Sequence, residues 1–153
     1  MSSEIRQKLG DSVSLAITLA SITDGNGRIS TQVDNSGTWA PRVLMSVLLK
    51  TGAVAPTAGS LYKFYLIRDD GVGIVDEGLG AADAAVATEP ENAHLVGTVT
   101  VTATADKSYR SSFLIEDPGY KWSVVFWNAT GQTNSTDSNA MAIHYRTITP
   151  ERR

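Results

Sequence analysis

Lys-Trp-Ser-Val-Val-Phe-Trp-Asn (121–128), followed after a polar break by Ala-Met-Ala-Ile-His-Tyr-Arg-Thr (140–147), is the stretch that decides how the chain reads. Both runs have strand length and are rich in aromatic and β-branched residues, which suit a pleated, half-buried surface. Side chains alternate along a strand. Trp122, Val124 and Phe126 therefore share one face of the first run, and Met141, Ile143 and Tyr145 one face of the second. Residues 129–139 between them are rich in Asn, Thr, Ser and Gly. Two such runs around a polar loop predict a long antiparallel hairpin. Its inward side chains make most of a sheet face, and that face needs a second sheet to cover it.

Working outward, the same period recurs. Residues 14–20 place Leu15, Ile17 and Leu19 on one side, residues 61–68 place Tyr62, Phe64 and Leu66, and residues 95–103 place Leu95, Val99 and Val101 inward with Thr98, Thr100 and Thr102 outward. Residues 108–115 are expected to pair back on that last run with Tyr109, Phe113 and Ile115 on one face. Residues 28–33 form a further, more polar strand. Residues 42–50 are apolar on both faces apart from Ser46, which suits a central strand covered on both sides or one whose outer face meets a partner; the covered reading is preferred. Asp24-Gly25-Asn26-Gly27, Asp34-Asn35-Ser36-Gly37 and Asp117-Pro118-Gly119 are turns, because Gly and Asn tolerate positive φ and Pro fixes it. The expected fold is all-β: an antiparallel, jelly-roll-like β-sandwich of about eight strands over residues 13–153, preceded by an arm, residues 1–12. Residues 69–94 lack strand character and form one long loop, with room for a helical turn over residues 81–87. Its acidic side chains (Asp69, Asp70, Asp76, Glu77, Asp83) are expected to be solvated rather than catalytic.

At 153 residues the chain is long enough for one domain with a substantial core, and 42% hydrophobic with 19% charged residues is ordinary for a globular protein. A net charge of -3 offers no basic field for phosphate, so no direct nucleic-acid partner is expected. Cysteine is absent, which removes disulfides and thiolate metal sites. The longest early apolar run, residues 15–20, is too short to span a membrane, so no membrane partner is expected and synthesis is expected in the cytoplasm.

No catalytic pattern fits the sequence. A nucleophile needs a base beside it, yet neither His94 nor His144 accompanies a nucleophile motif. The Asp24 turn lacks the carboxylates of a calcium loop, having Ile22 and Val33 at the required offsets. Gly71-Val72-Gly73 extends into no phosphate-binding pattern. No catalytic, cofactor or metal residue is expected, and the chain does not read as an enzyme. Trp39, in a loop, and Trp127, of opposite parity to Trp122, are the candidates for exposed aromatics. A shared face for the two would suit sugar stacking.

Three stretches resemble small structural proteins of tailed bacteriophages: residues 19–35 with Leu-Ala-Ser and Thr-Gln-Val-Asp-Asn, the core strands over residues 42–66, and Lys-Trp-Ser-Val-Val-Phe-Trp-Asn-Ala-Thr-Gly (121–131) with Ser138-Asn139-Ala140. Ser123 stands where that pattern has Gly. The resemblance implies a virion component on the capsid surface, a decoration or cement protein that binds the major capsid protein and itself, as a trimer in preference to a dimer. It puts contacts in the arm (Arg6, Lys8), the long loop (Val75, Leu79, Val86) and the terminal loop (Thr133, Asn134). A tail, neck or head-fibre component, or a glycan-binding module on the virion, are the alternatives.

Overall fold

The computed structural model describes residues 5–72 and 75–152; residues 1–4 of the expected arm lie outside it. Eleven strands follow in order: β1 (Ile5–Leu9), β2 (Val13–Ser14), β3 (Asn26–Ile29), β4 (Val33–Asp34), β5 (Arg42–Lys50), β6 (Leu61–Asp69), β7 (Ala84–Val86), β8 (His94–Thr100), β9 (Ser108–Glu116), β10 (Lys121–Ala129) and β11 (Ala142–Arg152). The excess over the expected number comes from short pieces, since β2 and β4 have two residues each and β7 three. They make two antiparallel sheets. Sheet A runs β1-β11-β5-β9, with β2 also on β11; sheet B runs β7-β3-β10-β6-β8, with β4 also on β10.

The two sheets close over the side chains that alternation assigned inward. Trp122, Val124, Phe126, Phe64, Leu66, Val43, Met45, Leu49 and Ile143 are all buried in one cluster. Trp122 of sheet B meets Tyr145 of sheet A edge to face at 5.1 Å, and Phe64 lies 5.6 Å from Phe126 and 5.4 Å from Phe113. Each large side chain withdrawn from water here contributes about 1.5–3 kcal/mol.

The pairing differs from expectation. β10 and β11 are not a hairpin but lie in opposite sheets, and so do β5 and β6, and β8 and β9. Alternation fixes which face a residue occupies but not which strand lies beside it. Here the connections cross the sandwich and are pinned to it. Asn134 is buried; Ile22 N–H donates to its Oδ1 (2.7 Å), and its Nδ2 donates to the Leu19 carbonyl (2.7 Å). Asn128 Nδ2 likewise donates to the carbonyls of Ile22 and Gln132, both at 2.8 Å. A segment held by these amides leads from one sheet to the other and cannot fold back as a tight turn.

Two faces also differ. Residues 15–20 keep Leu15 and Leu19 buried, yet only Val13–Ser14 is a strand. The reason is a crossover: Leu15 N–H donates to Ile143 in sheet A, while the Ala16 carbonyl accepts from Thr31 beside sheet B. In β8 the register shifts opposite Phe64 and Tyr65, which are paired with Gly97 and Leu95. The extra residue, Val96, packs on the core, and Leu95 turns outward, 45% exposed.

Candidate interaction surface

The outer faces of the two sheets have opposite fates. Behind sheet B lies a second apolar cluster of Ile29, Tyr65, Ile67, Val86, Val125 and Trp127, with Val75, Leu79, Ala93 and Ala129 packed around it. The long segment after β6 supplies Val75, Leu79 and Val86, so it folds flat on the sheet instead of standing in solvent. It forms a 3-10 turn at Asp76–Gly78 and adds β7 to β3, rather than a helical turn over residues 81–87. Close approach is required at Gly27: a Cβ there would lie 2.7 Å from Trp127 Cε3.

The acidic residues of this segment hold it down, contrary to the solvated loop expected. Arg28 Nε donates to Asp83 Oδ1 at 2.6 Å, and Thr18 donates to the same carboxylate through Oγ1 (2.6 Å) and its N–H (3.1 Å). Lys63 Nζ lies 2.7 Å from Glu89, which also accepts from the Tyr65 hydroxyl. Gln32 donates to Asp69 at 2.8 Å and the Arg68 N–H to Asp76 at 3.0 Å. Burial pushes the Asp83 and Glu89 carboxyls up, but the hydrogen bonds outweigh it and hold both below the usual carboxylate range. Burial, then Glu89, raises the Tyr65 hydroxyl above its ordinary value.

Sheet A is open behind. On β5 the inner residues Val43, Met45, Val47 and Leu49 are buried, while Leu44 and Leu48 are half-buried and Ser46 exposed, with nothing covering them among the described residues. This corrects the preference for a strand covered on both sides. Cross-strand register sets out the face in rows: Arg146, Leu44 and Leu114; His144, Ser46 and Ser112; Ala142, Leu48 and Arg110. Leu114 is 48% exposed, and Ser46 Oγ lies 3.2 Å from Ser112 Oγ. Arg42, Arg110 and Arg146 face outward here against Glu116, and Lys50 at the end of β5 lies 3.6 Å from Asp106. A chain of net charge -3 thus keeps a face with leucines between arginines.

The expected contact residues separate accordingly. Arg6 and Lys8 are exposed on β1, which pairs with the end of β11 as a strand and not a loose arm. Thr133 is exposed, but Asn134 is an internal brace. Val75 and Leu79 are partly buried and Val86 is buried, all turned into the cluster behind sheet B. Trp39 is 63% exposed, edge-on to Tyr120 at 5.4 Å, whereas Trp127 is buried, so the two share no exposed face. His144 is exposed on the open face. The signal that could have found this face is the pair Leu44 and Leu48 on the side of β5 away from the core. Among the described residues no group of three or more His, Cys, Asp or Glu is placed to hold a metal, and no helix is long and apolar enough to cross a membrane. No family model matches the chain, and none of the curated proteins compared with it matches either.

Proposed function

We propose that the chain is a structural protein of a tailed-phage virion, a decoration protein that docks on the capsid and stabilises the mature head. The observation that carries this reading is the open outer face of sheet A: partly apolar and fringed by arginines, on a sandwich whose other face carries its own cover. Such a face suits a protein surface with acidic groups, because leucines between the charges gain little against nucleic acid and much against a complementary apolar patch. With β2 and β4 set beside β1 and β3 as their continuations, and the short edge strand β7 left out of the count, sheet A takes the order first-last-third-sixth and sheet B second-seventh-fourth-fifth. We read that order as a jelly roll, an architecture used in viral capsid and lectin domains. The sequence resemblance supplies the rest of the reading, including self-association and the major capsid protein as partner.

Docked copies act together, so each contact can be weak while the lattice gains much. Purified protein added to expanded capsids assembled without it is expected to rebind to saturation and raise their melting temperature. Absence of rebinding, with the protein folded, overturns the proposal. The sugar-binding alternative loses its platform with Trp127 buried; saturable quenching of tryptophan fluorescence by sugars would restore it.

A further inference from the structure

β9 is the edge of sheet A, paired only with β5. Asp117 N–H donates to the Pro41 carbonyl (2.9 Å) and Thr51 N–H to the Lys107 carbonyl (3.0 Å), one bond at each end of an unshifted ladder. Hydrogen-bonded pairs alternate along antiparallel strands, so the odd-numbered residues of β9 bond to β5. The N–H and C=O groups of Ser108, Arg110, Ser112, Leu114 and Glu116 therefore point to the free edge; the Glu116 carbonyl already accepts from Arg68 Nη2 at 3.4 Å and keeps a second lone pair. Proteins usually blunt such an edge with short strands, bulges, Pro or Lys. The other edges follow that rule: β7 has three residues, β8 carries the bulge at Val96, and β1 contains Lys8. β9 has nine residues, Ser-Tyr-Arg-Ser-Ser-Phe-Leu-Ile-Glu, with no bulge, Pro or Lys, and its charges are one of each sign, Arg110 and Glu116.

Its charges are arranged to accept another copy of itself. Arg110 and Glu116 both face outward, equally far from Phe113 along the strand, and neither side chain has a partner among the described residues. We propose that two copies of this chain join edge to edge through β9, antiparallel, about a two-fold axis at Phe113. Arg110 then lies opposite Glu116 of the partner subunit, twice by symmetry, and Ser112 opposite Leu114 of the partner subunit. These pairs use the edge-pointing backbone groups found above. The two Phe113 rings meet on the inner side at a non-hydrogen-bonded position, where cross-strand side chains come closest. Phe113 is half-buried in the single copy, tilted against Phe64 and lying over Gly97, and in the pair a second ring covers its free side. A two-fold axis centred on Ser112 instead would set Arg110 against Leu114 and leave the charges unmatched. The pair makes sheet A and its open outer face continuous across two copies, and it favours a dimer over the trimer that the sequence resemblance suggests.

The test is sedimentation velocity on the purified chain over a micromolar-to-millimolar series, with Arg110→Glu, Glu116→Arg and the double reversal. All four proteins are checked for an unchanged melting temperature, which the exposure of both sites favours. The wild type is expected to form a dimer. Each single reversal turns two attractive cross-strand pairs repulsive and should weaken the dimer about tenfold or more. The double reversal should restore it. A monomer at every concentration, a trimer, a dimer indifferent to Arg110→Glu, or no recovery in the double reversal overturns the proposal. Capsids are absent from this measurement, so its outcome is independent of the docking role.

Discussion

β10 and β5 are the central strands of their sheets, and in sequence they look alike: each is apolar at both parities over nine residues. In the folded chain they differ. β10 buries Trp122, Val124 and Phe126 on one side and Val125 and Trp127 on the other, while β5 buries Val43, Met45, Val47 and Leu49 and leaves Leu44 and Leu48 half in water. The difference lies elsewhere in the chain. The segment after β6 folds over β10 and is fastened there by Asp83 and Glu89, and no described segment does the same for β5. A doubly apolar strand thus has two outcomes, an internal cover or a face left open, and the strand alone does not choose between them.

Truncation should separate the two faces most strongly. Trp127→Ala empties the cluster under the cover and is expected to cost about 3–5 kcal/mol, whereas Leu114→Ala on the open face should stay within about 0.5 kcal/mol. Denaturant unfolding of both variants checks this, and equal losses would abolish the contrast. Next in size is the fastening. Asp83→Ala removes the acceptor of Arg28 and Thr18 and is expected to cost about 1–3 kcal/mol, with faster amide exchange in Ala84–Val86.

Acid should act in the same direction. Asp83 and Glu89 titrate below the usual carboxylate range in the folded state, so their contribution is fully present above the unfolded-state value of about 4. It is lost as pH falls through the lower folded values, and the cover should loosen before the core. Exchange in Ala84–Val86 relative to β5, followed downward from neutral pH, reads this; a constant ratio would contradict the role given to the two carboxylates.

Much of the sandwich is legible in the sequence because burial follows a two-residue period. Trp122, Phe126, Phe64 and Ile143 sit where alternation assigns them. What alternation does not carry is partnership. Asn128, at the end of a strand run, and Asn134, in a polar loop, give no sign of it, yet as buried braces they send the chain across the sandwich and turn the expected hairpins into crossovers. Nor does it carry the cover. Val86 and Trp127 are 41 residues apart in sequence (127 − 86), and only the folded chain brings them together. Leu95 fails for a local reason, since one extra residue at Val96 reverses the parity of everything before it. The same holds for exposure: Val75, Leu79 and Val86, expected at the surface from the length of their loop, are turned inward, and the outer side of β5, expected to be covered, is open.

The sharpest trial of this division of faces is co-sedimentation of the paired variant Leu44→Asp/Leu48→Asp with capsids assembled without the protein, beside the wild type. Both substitutions lie on the half-buried outer side of β5, and a melting curve confirms the fold. The account predicts that the variant stays folded and no longer co-sediments while the wild type does. A folded variant that binds as the wild type does would show that the open face of sheet A is not where the protein docks.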